Sequence, residues 1–168
     1  VCAIGERANE RTRTLGVAFG GCTLPGADAP LFTVPEGMMS VGLGIHGEPG
    51  IEKVPIPTAD ELAELLVGRL LEDVPDDRGD RAAVILNGLG TVKYEELLVV
   101  YRRVHALLRD AGIEIVSPDI GELCTSFDMA GVSLTLFWLD DELDTLWHQP
   151  CDTPAYRRGA VADRVAVS

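Results

Sequence analysis

The sequence predicts an α/β domain: a mixed sheet of about six strands carrying helices mainly on one face, in two layers. Three observations point there. Strand-like and helical stretches alternate along 168 residues, a length that suits one domain of roughly 100–200 residues. The apolar run Ala82 to Leu86 is continuous and bounded by turn residues, as in a buried strand. The strand-like stretches 31–34 and 38–45 follow one another across Pro35-Glu36-Gly37 with no helix between them, which argues for hairpin pairing and against a purely doubly wound parallel sheet.

In chain order, Val1 to Arg13 reads as a short helix with Arg and Glu on its polar face, and Thr14 to Phe19 as a small strand stopped by Gly20-Gly21. Thr23 to Pro30 is too rich in Gly and Pro for a regular element. Thr58 with Glu61 three residues later forms a capping box, and Leu62, Leu65, Leu66 and Leu70 then recur at helical spacing until Pro75. After the solvated loop 76–80 and the buried strand, a long helix runs from about Tyr94 to Asp110, closed by Ala111-Gly112. Ile113 to Val116 and Val132 to Trp138 are two further strands, Asp140 to Trp147 is a last short helix, and the tail from Pro150 reads as extended.

Composition narrows the function. With 46% hydrophobic and 24% charged residues the chain is globular rather than disordered. Fourteen Lys and Arg against 27 Asp and Glu leave a net charge of −13, which repels nucleic acid backbones and anionic membranes alike. Apolar runs such as Leu136 to Leu139 are far too short to cross a bilayer. Cys2, Cys22, Cys124 and Cys151 show no C-x-x-C spacing, so they read as reduced thiols of a cytoplasmic protein, with no metal site. Because the sequence opens at Val1 and not at Met, it is expected to be a piece of a longer protein.

Context decides what each motif can do. Gly42-Leu43-Gly44-Ile45-His46-Gly47 matches the dinucleotide pattern G-x-G-x-x-G, but Pro49, Pro55 and Pro57 follow where that pattern requires a helix. Asn87-Gly88-Leu89-Gly90 joins a strand to a helix without the glycine before lysine that a phosphate loop needs, and reads as a tight turn. His46 ends an apolar strand among glycines with Glu48 nearby. Two readings stay open for it: a reactive or ligand-facing imidazole whose orientation Glu48 sets, or a histidine that caps a turn. His105 borders the apolar stripe of the long helix and His148 stands at a helix end, and both read as structural.

Four segments occur in an order that identifies a family: Gly42 to Gly50, Asn87 to Gly90, Tyr101-Arg102-Arg103-Val104, and Thr125-Ser126-Phe127-Asp128-Met129-Ala130-Gly131. Together they resemble the second half of the substrate-binding subunit of dihydroxyacetone (glycerone) kinases, over a span from about Asn9 to Tyr156. The resemblance implies that residues 1–156 form the C-terminal half of that substrate-binding domain and 157–168 a tail or linker. It also implies the mixed order of the sheet, whereas periodicity shows only the alternation. His46 would be the residue that attacks the substrate ketone and holds it as a covalent hemiaminal. Further expectations are a homodimer, and ATP and Mg2+ on a separate all-helical kinase domain or subunit; in one branch of the family, ADP with a phosphoprotein donor replaces free ATP. The family's N-terminal domain supplies an aspartate thought to act as general base, so this chain alone is expected to be inactive. Relatives of the same fold act as ketone-sensing coactivators, and others bind lipid; a nucleophilic histidine argues against the lipid reading, since a carboxylate needs no nucleophile.

Overall fold

The computed structural model describes residues 1–45 and 48–159. Its elements are α1 (Cys2–Glu10), β1 (Thr12–Ala18), β2 (Met38–Val41), β3 (Glu52–Pro55), α2 (Ala59–Glu72), β4 (Arg81–Gly88), α3 (Tyr94–Asp110), β5 (Glu114–Gly121), β6 (Gly131–Trp138), α4 (Asp141–Trp147), and a small ribbon of β7 (Cys151–Asp152) with β8 (Arg157–Arg158). The main sheet has six strands in the order β3-β2-β1-β6-β4-β5. Only β4 and β5 run parallel; the other neighbours are antiparallel, so the sheet is mixed, as expected.

Alternation along the strands assigns the two faces. Val132, Leu134, Leu136 and Trp138 of β6, with Ala82, Val84 and Leu86 of β4, are buried beneath the two long helices, against Leu62, Leu66 and Leu70 of α2 and Leu97, Val104 and Leu108 of α3. The capping box of α2 is formed: the Glu61 amide donates to Thr58 Oγ1 and the Thr58 amide to the Glu61 carboxylate. Donation from the Thr58 amide, and then from its hydroxyl, holds the Glu61 carboxyl below its ordinary pKa. The opposite face is covered only in part. At one end α1 and α4 pack through Ile4, Ala8, Leu143 and Trp147 on Ala83 and Phe137. At the other end lies a cluster of Ala18, Cys22, Leu89 and Met129, with Phe32, Val34, Leu43 and Ile45 against it. Between them lie Thr14, which is exposed, and Gly16, Ile85, Ser133 and Thr135, which are half-buried.

The elements differ from the expectations in a few places. The first helix stops at Glu10 rather than Arg13, because Thr12 to Ala18 pair with β6 along their whole length and Arg13 is taken into the strand. Residues 31–34 form no strand; they contribute one bridge, Cys22 to Phe32, although Pro35 to Met38 does make the expected turn, the Met38 amide donating to the Pro35 carbonyl at 3.0 Å. The second strand of that region ends at Val41 rather than Ile45, since Gly42 turns away at φ 74°. Its antiparallel partner is β3, which the prolines around it conceal. Strand β5 runs on through Pro118 to Gly121, a position open to proline because β5 is at the sheet edge. Among the described residues no helix is long and apolar enough to cross a membrane.

Candidate functional site

Three loops meet at one end of the sheet: 42–50 after β2, 89–93 after β4, and 122–130 between β5 and β6. Each is shaped by close approach. Gly42, at positive φ, lies where a Cβ would be 2.7 Å from Ile51 Cγ1, and a Cβ on Gly44 would be 2.1 Å from Glu48 Oε2. These glycines therefore make room for the loop's own packing, a more local cause than an approaching ligand. Main-chain bonds shape the loop: the Gly42 amide donates to the Gly16 carbonyl at 2.7 Å, and the Gly44 amide to the Glu48 carbonyl at 3.3 Å. The Glu48 carboxylate is laid against Gly44. His46, to which the resemblance assigns the covalent chemistry, lies outside the described residues.

The loop after β4 is the tight turn that its sequence suggests. Gly90 has φ 155°, and a Cβ there would stand 2.4 Å from the Phe127 carbonyl oxygen. Three of its amides are already engaged: Leu89 donates to Gly131 O, Thr91 to Met129 O, and Lys93 to the Glu96 carboxylate. With Glu95 and Glu96 in the first turn of α3, this helix start does not fit a nucleotide phosphate. Among the described residues there is also no group of three or more His, Cys, Asp or Glu side chains that could hold a metal.

Two buried polar side chains bind the loops together. Asn87, 4% exposed, accepts from the Leu123 and Cys124 amides at 2.7 and 2.8 Å and donates to the Cys124 carbonyl at 2.8 Å. Ser126, 2% exposed, donates from Oγ to the Ile45 carbonyl at 2.6 Å, while its amide donates to Leu89 O at 2.6 Å. The backbone then turns at Phe127, whose φ of 53° is left-handed and unusual for a bulky residue. Asp128 accepts from the Thr23 amide at 2.6 Å, and that bond holds its carboxyl below the usual carboxylate range. Both Asn87 and Ser126 stand in segments that carry the family resemblance, yet only their contacts reveal what they do.

A cavity of about 570 Å³ opens beside these loops on the uncovered face of the sheet. Its floor is Thr14, Gly16, Asn87, Ser133 and Thr135, and residues 42–45 and 123–124 form part of its walls. The hydroxyls of Thr14 and Thr135 are hydrogen-bonded at 2.8 Å. The floor thus offers three hydroxyls and the Asn87 amide, while Leu15, Ile51, Ile85 and Leu89 make much of the remaining lining apolar. The other two histidines lie away from this place. His105 is an exposed residue of α3 with its ring edge-on to Tyr101, and His148 caps α4, its Nδ1 2.9 Å from the Asp144 carbonyl oxygen. All four cysteines are free thiols.

Comparison with known proteins places the chain. Over 166 residues it is 65% identical to an L-erythrulose kinase of Pectobacterium atrosepticum, a match covering 96% of this chain and 28% of that one. It is 43% identical to the dihydroxyacetone-binding subunit DhaK of a phosphotransferase-dependent dihydroxyacetone kinase of Listeria innocua, covering 90% of this chain and 46% of the subunit. Among solved structures it superposes on the dihydroxyacetone kinase of C. freundii in complex with AMP-PNP and Mg2+, with TM-score 0.80 and 28% identity over 99% of this chain and 31% of that one. It superposes also on a dihydroxyacetone kinase operon co-activator, with TM-score 0.78 and 28% identity over 86% of this chain and 45% of that one. The chain thus spans less than half the length of each of these proteins. The model of the Dak1 domain matches residues 1–155. The chain belongs to the Dak1 domain family.

Proposed function

We propose that this chain is the ketose-capturing part of a kinase whose substrate is a short ketose of the erythrulose class, held covalently on His46. The observation that carries the reading is the 65% identity to an L-erythrulose kinase along nearly the whole chain, well above the 43% shared with a dihydroxyacetone-binding subunit. The chemistry is balanced. The unprotonated nitrogen of a neutral imidazole attacks the ketone carbon, a C–N bond forms and the C=O π bond opens. The former carbonyl oxygen gains a proton and the other ring nitrogen loses one, giving a neutral hemiaminal. Glu48, laid against Gly44 in the same loop, is the group proposed to orient the ring. Capture of this kind selects for a carbonyl, so a polyol of similar size is refused because it has nothing to attack.

The phosphoryl donor is ATP with Mg2+, held outside this chain. The share of the C. freundii kinase that this chain covers, 31%, resembles its 28% share of the L-erythrulose kinase and not its 46% share of the phosphotransferase-dependent subunit. The same reading takes the intact protein to be a cytoplasmic homodimer, inactive when reduced to this chain. A non-catalytic ketose sensor is the second reading, favoured by the co-activator's TM-score of 0.78. Incubating the full-length protein with ATP, Mg2+ and, in turn, L-erythrulose, D-erythrulose, dihydroxyacetone and glycerol separates the two. Phosphorylation of an erythrulose with higher kcat/KM than dihydroxyacetone, and none of glycerol, is expected. Ketose binding without turnover would establish the sensor instead.

A further inference from the structure

We infer that Ser126 is a positioning residue for ketose capture, its hydroxyl fixing the peptide that leads into His46. Ser126 bonds to residues of all three loops. Its amide is held by Leu89 O, its carbonyl accepts from the Met129 amide at 3.0 Å and faces Cys22 Sγ at 3.5 Å, and its Oγ donates to Ile45 O at 2.6 Å. Main-chain bonds fix the serine on two sides, so its hydroxyl reaches a chain segment 81 residues away from a fixed base. The left-handed turn at Phe127 then takes the chain outward and leaves Ser126 buried at 2% exposure. The Gly42 amide ties the loop to Gly16 of β1 and the Gly44 amide closes on Glu48, both through main chain. The Ser126 bond comes from a side chain of another loop and acts at Ile45, the residue before His46.

A small displacement of a reacting group costs much more in rate than in binding, so loss of this tether should appear in capture and not in nucleotide affinity. The inference rests on the reading of His46 as the capturing residue, and the experiment keeps the two apart. In the full-length protein, Ser126→Ala is expected to lower both the rate of adduct formation and kcat/KM for the ketose by about 10- to 100-fold, with the KM for ATP unchanged. In a His46→Ala background the same substitution is expected to change residual turnover by less than about twofold, because the group it positions is already gone. An equal loss in both backgrounds would make Ser126 merely structural and overturn the inference. So would undiminished capture in Ser126→Ala when His46→Ala has none. An adduct that persists in His46→Ala overturns the His46 reading, and the positioning role with it.

Discussion

The two faces of the sheet are held by different physics. Beneath α2 and α3 the contact is continuous and apolar: Leu66, Val84, Leu86, Val104, Leu108, Leu134 and Leu136 are all fully buried. Their attraction is non-directional and scales with area, so that face tolerates exchange of one apolar side chain for another of similar volume. At the loop end of the other face the apolar cluster is small, four fully buried residues in all, and the geometry is set by hydrogen bonds between backbone groups and the side chains of Asn87 and Asp128, which accept, and Ser126, which donates. Directional bonds fix where a loop sits more sharply than area does. The first face supplies stability and the second supplies a defined position beside the cavity.

Substitutions on each face test that division. The largest effect on stability is expected from Leu134→Ala, which removes a fully buried side chain from the centre of the helix-covered face. It should cost about 2–5 kcal/mol in denaturant unfolding. Ketose capture per folded molecule should be unchanged; a parallel loss of capture would show that the two faces are not separable. Asn87→Ala comes next. It strands the Leu123 and Cys124 amides, for an expected loss of about 1–3 kcal/mol. Here capture should fall well beyond what the unfolded fraction explains, since the loop bearing Ser126 loses its anchor. The smallest effect is electrostatic and belongs to Asp128. Its folded pKa is depressed, so its contribution is present above the unfolded value of about 3.9 and disappears as pH falls through the lower folded value. The NMR shift of the Thr23 amide should therefore titrate below the ordinary Asp range, and Asp128→Ala should remove that titration.

The same division explains what could be read from the sequence. Helix α3 runs from Tyr94 to Asp110 as its leucine and valine spacing requires, and the Thr58–Glu61 box starts α2 where the residues place it. Both are local signals with a period. Strand β3 has none: four residues ending in Pro55 look like a loop until β2 pairs with them. Residues 31–34 fail in the opposite sense, being apolar enough for a strand but finding a partner only at the Cys22–Phe32 bridge. At the site, the resemblance singled out His46 and the four motif segments. The contacts that those segments make span 36 to 81 positions, from Asn87 to Leu123 and from Ser126 to Ile45, and no periodic pattern encodes such pairings.

Capture of a ketose by His46 can be read from intact mass and peptide mapping of the full-length protein after exposure to erythrulose, with His46→Ala alongside. Because hemiaminal formation expels nothing, a mass increase equal to one whole ketose is expected, mapped to the peptide containing His46 and absent from His46→Ala. Complete occupancy by unmodified ketose beside an underivatised His46 would contradict it.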